Sequence, residues 1–442
     1  MDARKVAFEV LMAVVKDGAY SNMALNAAIR ANDLSIKDKG LVTELVYGTL
    51  ANYRLLEFCV EPFLQGRVKG WVRVLLTMTA YQLIFLDKVP TYAAVNGAVG
   101  IAKSRGGNFN AGVVNAILRN FIDSPRRAVS DIEDVFDRLA VETSHPTWLV
   151  KMWASQFGME KAEKMVFANN ERAKTVLRTN LARVSRDELR AGLASDGVEC
   201  VPGVLNDEAL IVVSGNPTST SAFSDGLFYI QDEASMLVAK ALAPSTGARV
   251  LDVCAAPGGK SLHLAEVVGT EGVIYAHDVH AHKIDLINEN KGRLGVNNVH
   301  ASVCAATGLV DLYGTESFDY ILVDAPCSGL GILKRHPEAK LFKSPEDLDA
   351  IIKIQDEILR VVALLLRPGG RLVYSTCSVN LKENVRQVEA FLKRSPEFVL
   401  DSELSSRMPD CLSGQIEAGM LQLLPQDFGT DGFFISAILK RG

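Results

Sequence analysis

A chain of 442 residues is long for one hydrophobic core, so two or three domains are expected. With 48% hydrophobic and 22% charged residues, no apolar run near ~18 residues and no signal-peptide layout after Met1-Asp2-Ala3-Arg4-Lys5, it reads as a cytoplasmic protein with no membrane segment. A net charge of −5 argues against a simple basic nucleic-acid coat but leaves local basic patches open, and seven widely spaced cysteines without a C-x-x-C suggest neither a disulfide framework nor a metal site.

Residues 1–140 read as an all-α domain. Val6, Val10, Leu11 and Val14 share a helical face. Ser21 is expected to cap a helix over Asn22–Arg30, and Ser35 with Asp38 forms a capping box before Leu41, Val42, Leu45 and Val46. Val72–Phe85 is mostly apolar and predicts a central helix. Another runs from Pro90-Thr91 to about Lys103, Gly106-Gly107-Asn108 is a turn, and Asn110–Phe121 follows. Arg30, Arg67, Lys69, Arg73, Lys103, Arg105, Arg119, Arg126 and Arg127 fit either a solvated surface or a nucleic-acid face.

The stretch from Ser124-Pro125 to His145-Pro146, with Asp131, Glu133, Asp134 and Asp137, reads as a hinge. A small α+β module over 141–225 follows. It has helices Trp148–Gly158 and Met159–Ala168, a strand Thr175–Thr179, a helix capped by Ser185-x-x-Glu188, and strands at Gly197–Cys200 and Ala209–Val213. In the third domain, 226–442, strands alternate with helices, predicting a Rossmann-like, mostly parallel α/β sheet. The strands are Arg249–Val253, Val273–His277, Tyr320–Val323 and Arg371–Ser375. The helices are Met236–Leu242, 261–268, 280–292, 348–366 and 383–394. Leu366–Gly370 reads as a turn, and 431–439 as an antiparallel strand at the sheet edge.

Ligands in such sheets bind beyond the carboxyl ends of the strands. At the first end, V-L-D-V-C-A-A-P-G-G-K-S (250–261) is a strand, a Gly-rich turn and a helix start. It lacks G-x-G-x-x-G and fits only the end of a P-loop frame, with Cys254 where that frame needs its first Gly. Its backbone still suits a nucleoside-like ligand. Asp278, 26 residues after Asp252, can accept both ribose hydroxyls. The third and fourth ends, Asp324-Ala325-Pro326-Cys327 and Ser375-Thr376-Cys377-Ser378, bring two cysteines and a carboxylate to one sheet edge. A thiolate there could add to C6 of a pyrimidine and make C5 nucleophilic toward an electrophilic methyl. No histidine is close in sequence to either cysteine, so no metal is expected.

Residues 228–442 resemble the RNA cytosine-C5 methyltransferase family, which uses S-adenosylmethionine. The matches are F-Y-I-Q-D-E-A-S (228–235), L-D-V-C-A-A-P-G-G-K (251–260), D-A-P-C-S-G-L-G (324–331), Y-S-T-C-S (374–378), Glu383-Asn384 and D-G-F-F (431–434). The whole chain is similar to the bacterial 16S rRNA branch of that family, whose N-terminal domain is NusB-like and whose target is cytosine 967. The resemblance implies Cys377 as the nucleophile at C6, Cys327 as the second cysteine for product release, and Asp324 at the N3 edge of the base near the cofactor. It implies Lys260 as a polar contact to Asp324 or the substrate. The turn Cys254, Ala255, Ala256, Pro257, Gly258, Gly259 and Lys260 would hold the amino-acid part of S-adenosylmethionine. The partner it implies is 16S rRNA, free or in an early 30S particle.

Four points stay open in the sequence. Pro-Cys-type DNA enzymes would make Cys327 the nucleophile, and Glu383-Asn384-Val385 is similar to their E-N-V motif. The acid that the family places after its third strand falls on Ala305, leaving the adenine end without a carboxylate. Lys334-Arg335-His336-Pro337, just after the Cys327 loop, suits RNA phosphates or a solvated helix start. A tRNA or 23S rRNA cytosine-C5 methyltransferase and a non-catalytic ribosome-assembly protein are the rival functions.

Overall fold

The computed structural model describes every residue except Met1, Gln65 and Arg67, so the basic residue Arg67 lies outside the described residues. The chain forms two compact units, one of residues 1–172 with 333–343, the other of 173–332 with 344–442.

The first unit is helical. Asp2 caps Ala3–Asp17 by accepting the Arg4 N–H, and Gly18 ends that helix at φ 71°. Ile36–Ala51 starts from the Ser35 cap. Gly70–Phe85 is buried on most of its circumference, as its apolar composition requires. Thr91–Asp123 is broken at Gly107, whose φ of 72° and ψ of −175° supply the expected turn. Leu11, Leu45, Leu50, Leu56, Leu75 and Val114 are fully buried between these helices.

Local expectations change in this unit. Ser21 does not cap the second helix. That helix is Ser21–Ala31 with Tyr20 at the N-cap, and Ser21 instead donates its N–H and hydroxyl to the Glu338 carboxylate, 3.1 and 2.8 Å away. A buried carboxylate is a stronger acceptor claim on that serine than its own helix. The stretch read as a hinge ends in a helix: Asp134 caps Val135–Glu142, and Thr143, Ser144 and His145 are buried. Helices Thr147–Phe157 and Met159–Ala168 form where the sequence places them.

The 333–343 segment belongs to the same unit. It packs into the helical unit through two buried charged groups, Glu338 and Lys340, which follow the half-buried Lys334, Arg335 and His336. Glu338 takes Ser21, and the Lys340 ammonium donates to Ala51 O (2.6 Å), Asn170 Oδ1 (2.7 Å) and Thr143 O (3.3 Å). Burial pulls the Lys340 pKa down to about 7.

The second unit holds two sheets. The small one contains β1 (Val176–Thr179), β2 (Glu199–Pro202), β3 (Ala209–Ser214) and β4 (Phe228–Ile230), in the antiparallel order β2-β3-β1-β4. The Ser185–Glu188 capping box forms and starts helix Arg186–Ser195, whose Leu189 and Leu193 pack with Leu177, Leu210 and Phe228. The strand at Phe228, read from sequence as the head of the third domain, closes the edge of this sheet.

The large sheet contains β5 (Arg249–Asp252), β6 (Val273–Asp278), β7 (Val299–Val303), β8 (Phe318–Asp324), β9 (Leu366–Thr376), β10 (Phe398–Leu400), β11 (Ile416–Glu417), β12 (Met420–Leu423) and β13 (Phe433–Lys440). Its order is β11-β12-β13-β9-β8-β5-β6-β7, with β10 also on β13. Strands β5 to β9 are parallel and β13 is antiparallel to β9. The order reverses between β5 and β8, which opens the crevice where such sheets bind ligands.

Two further corrections concern β9 and β13. The final strand is antiparallel as expected but is not at the edge, because β12 pairs along its outer side and six of its eight residues are buried. Leu366 already pairs with Phe318 while Arg371 pairs with Tyr320, so the Arg367–Gly370 turn is a bulge inside β9.

Candidate active site

The 253–260 turn is shaped by its neighbours on either side. Val253 N–H donates to Leu322 O on β8, and Ala255 N–H to His277 O on β6, drawing the loop over the crevice. Gly258 has φ 101°, a conformation that favours glycine. Gly259 opens helix Gly259–Val268, and a Cβ there would lie 2.8 Å from the Tyr229 ring. The Gly-Gly pair is therefore required by the turn and by the packing beneath it, and it leaves helix N–H groups facing the crevice.

Arg178 on β1 secures this turn from below. It is 1% exposed, donates to Gly259 O (2.7 Å) and Gln231 Oε1 (2.5 Å), and pairs with Glu266 at 3.0 Å. Sequence reasoning missed it, and the only signal was a charge inside the short strand T-V-L-R-T.

Asp252 is fully buried. Its Oδ2 accepts the Ser261 hydroxyl at 2.5 Å, while Oδ1 has no partner. Burial raises its pKa to about 7. Asp278 ends β6 and accepts the His280 N–H at 3.2 Å, with Lys283 Nζ 3.6 Å away. An orphaned carboxylate oxygen, a turn with no Cβ at two positions and a second carboxylate one strand over suit a ligand with a cationic amino acid at one end and a ribose diol at the other. At the end of β7, Cys304 N–H donates to Asp278 O (3.1 Å), so the chain does run beside Asp278 there. The next residue is the exposed Ala305, which carries no carboxylate. Cys254 lines the turn, and burial beside Asp252 pushes its thiol far up, which disfavours a nucleophilic role.

The other half of the site lies at the ends of β8 and β9. Asp324 pairs in register with Ser375, whose hydroxyl donates to Asp324 Oδ1 at 2.8 Å, while Lys260 Nζ donates to Oδ2 at 2.6 Å. Burial lowers the Lys260 pKa, but the charge and hydrogen bond of Asp324, with further help from Cys377, raise it overall. Lys260 thus remains an ammonium facing both Asp324 and Cys377.

The Cys327 and Cys377 sulfurs are 3.2 Å apart. The hydrogen bond to Cys377 and burial push the Cys327 thiol well up, and either sulfur can be the donor in the contact between them. Gly331 N–H donates to Cys377 O (2.9 Å) and Gly432 N–H to Gly331 O (2.8 Å). A Cβ on Gly331 would fall 1.9 Å from Gly432 O, which ties G-L-G and D-G-F-F to one close backbone approach. All the sequence-predicted site residues of the second unit therefore gather along the ends of β5, β6, β8 and β9. Among the described residues, no group of three or more His, Cys, Asp or Glu could hold a metal ion, and no helix is long and apolar enough to cross a membrane.

Three family models match successive parts of the chain: the NusB family over residues 1–123, a ferredoxin-like domain of RsmF/B-like methyltransferases over 145–219, and 16S rRNA methyltransferase RsmB/F over 239–439. A probable ribosomal RNA small subunit methyltransferase B of Bacillus subtilis is 43% identical over 441 residues, covering 99% of both chains. A ribosomal RNA small subunit methyltransferase B of Klebsiella pneumoniae is 32% identical, covering 100% of this chain and 99% of that one. The crystal structure of PH0851 superposes with a TM-score of 0.84 at 25% identity over 99% of both chains.

Proposed function

The chain belongs to the RsmB/F family of 16S rRNA methyltransferases, and within that membership we propose which atoms carry which step. It is an S-adenosylmethionine-dependent rRNA cytosine-C5 methyltransferase. The cofactor, when bound, supplies an electrophilic methyl group. The backbone of Cys254–Lys260 and the orphaned oxygen of Asp252 hold its amino-acid end, and Asp278 holds the ribose. With alanine at 305, the adenine end is held without the family's usual carboxylate.

The Cys377 sulfur, 3.2 Å from that of Cys327 and attracted by the Lys260 ammonium, forms a bond to C6 of the target cytosine. Asp324, oriented by Lys260 and Ser375, contacts the N3 edge, and by sharing a proton there it offsets the negative charge that develops as the adduct forms. C5 thereby gains carbanion character and takes the methyl. Cys327, acting as the thiolate, then takes the C5 proton as the sulfur–C6 bond breaks, which returns the Cys377 thiolate and releases 5-methylcytosine. The single observation that carries this reading is the 3.2 Å pairing of the two sulfurs beside the Lys260–Asp324 pair. The substrate is 16S rRNA, free or in an early 30S particle, at cytosine 967, with the target base turned out of its stack.

Incubation of each Cys→Ala variant with S-adenosylmethionine and 16S rRNA tests the roles. Cys327→Ala should accumulate an SDS-stable protein–RNA adduct and Cys377→Ala should form none; the reverse pattern overturns the assignment. Bisulfite sequencing of rRNA from a deletion strain tests the target. One 16S cytosine should lose methylation, and wild type but not Cys377→Ala should restore it.

A further inference from the structure

Cys327 and Cys377 are each followed by a serine, and the two serine hydroxyls lie 2.9 Å apart. Both also reach one fully buried carboxylate, that of Glu383: Ser328 Oγ donates to Oε1 at 2.6 Å and Ser378 Oγ at 2.9 Å. Asn380 Nδ2 donates to the same oxygen at 3.2 Å. The other oxygen, Oε2, accepts the Ser328 N–H at 2.8 Å and Gln355 Nε2 at 3.3 Å. Gln355 also donates to Pro326 O at 3.0 Å. The two turns that carry the thiols come from different strand ends, 50 residues apart, and meet at this one side chain.

We propose that Glu383 is a positioning residue for Cys327, joining the Pro326–Ser328 turn to the Cys377–Asn380 turn so that the releasing thiol stands against the attacking one. The inference rests on the division of roles in which Cys377 attacks and Cys327 releases. Only an acceptor with two oxygens meets donors on both sides. A glutamine would turn its NH₂ toward either the Ser328 N–H and Gln355 amide or the two serine hydroxyls and Asn380. In the first case donor faces donor, and the Ser328 backbone, adjacent to Cys327, must move. The negative charge of Glu383 also contributes, after the Cys377 hydrogen bond, burial and the Cys377 charge, to raising the Cys327 pKa. Cys377 is less dependent on the clamp, because Gly331 N–H holds its carbonyl separately.

The test uses the full chain, S-adenosylmethionine and 16S rRNA, with Glu383→Gln and Ser328→Ala beside wild type, Cys327→Ala and Cys377→Ala. Three quantities are read: the dissociation constant for S-adenosylmethionine, turnover, and SDS-stable adduct. Glu383→Gln should bind the cofactor within about twofold of wild type and lose on the order of 10²-fold in turnover, the scale for a reacting group misplaced by ~1 Å. It should also accumulate adduct as Cys327→Ala does. Ser328→Ala, which keeps the carboxylate, should show the same partition more weakly and supplies the test if Glu383→Gln does not fold.

Turnover near wild type in both variants overturns the proposal. So does a loss of turnover without adduct while cofactor binding persists, since attack rather than release would then be the step that fails. If Cys327→Ala itself forms no adduct and Cys377→Ala does, the underlying division of roles has failed instead.

Discussion

The buried lysine of the 333–343 segment makes a quantitative prediction about the helical unit. Lys340 sits among the oxygens of Ala51, Thr143 and Asn170, and burial lowers its pKa from the ordinary 10.5 to about 7. Because the folded value is the lower one, the unfolded chain binds more protons between pH 7 and 10.5, and stability rises with pH across that window. Below pH 7 the group is charged in both states and contributes no slope. Each pH unit inside the window is worth about 1.4 kcal/mol, so stability should rise by roughly 2 kcal/mol from pH 7 to 9. The assay is urea unfolding followed by tryptophan fluorescence. Trp71, Trp148 and Trp153 are the chain's three tryptophans, and all lie in the helical unit. Lys340→Met keeps most of the side-chain volume and removes the titrating group. It should abolish the rise while costing about 1–3 kcal/mol at pH 9 for the acceptors left unpaired. Other groups that titrate in the window, such as Cys59, whose thiol burial raises, are common to both proteins and cancel in the difference. Equal slopes for wild type and Lys340→Met would refute the reasoning.

Other substitutions separate the two halves of the site. Ala305→Asp restores a carboxylate after β7 beside the Asp278 backbone, and calorimetry should show S-adenosylmethionine binding tighter by about 1 kcal/mol, roughly fivefold. An unchanged dissociation constant would remove any significance from the alanine. Lys260→Met deprives Asp324 of its 2.6 Å partner and should lower turnover on the order of 10²-fold in single-turnover kinetics while the melting temperature changes little. Turnover within twofold of wild type would exclude Lys260 from the charge stabilisation argued for it. Gly259→Ala sets a Cβ 2.8 Å from the Tyr229 ring and should weaken cofactor binding by displacing the turn. Full affinity in that variant would mean that the turn tolerates the shift.

The strand ends were legible because their chemistry and their geometry are written in the same few residues. Pro257-Gly258-Gly259 breaks the chain where β5 stops, and Asp324 and Cys377 follow apolar strands directly, so reading the strands also located the functional groups. Residues that act on another segment left no such mark. Arg178 reads locally as a strand residue, yet it supports a turn 81 positions away. Ser21 obeys the local rule for a helix cap, and a carboxylate 317 positions away overrides it. Lys340 and Glu338 sit in K-R-H-P-E-A-K, whose charge density reads as solvated surface until the oxygens that bury them are known. The edge placement of the last strand failed for the same reason, since β12 is a four-residue strand whose only strong signal is its pairing with β13.

The same distinction accounts for Glu383. Its position in E-N-V invites comparison with the motif of the DNA enzymes, but its side chain is turned inward and fully enclosed by the two cysteine turns. A buried carboxylate with five donors can reach neither base nor cofactor, so any effect it has on the reaction must pass through the thiols. The likeness to the E-N-V motif therefore carries no weight for assigning the nucleophile. That assignment is decided by which Cys→Ala variant accumulates the protein–RNA adduct.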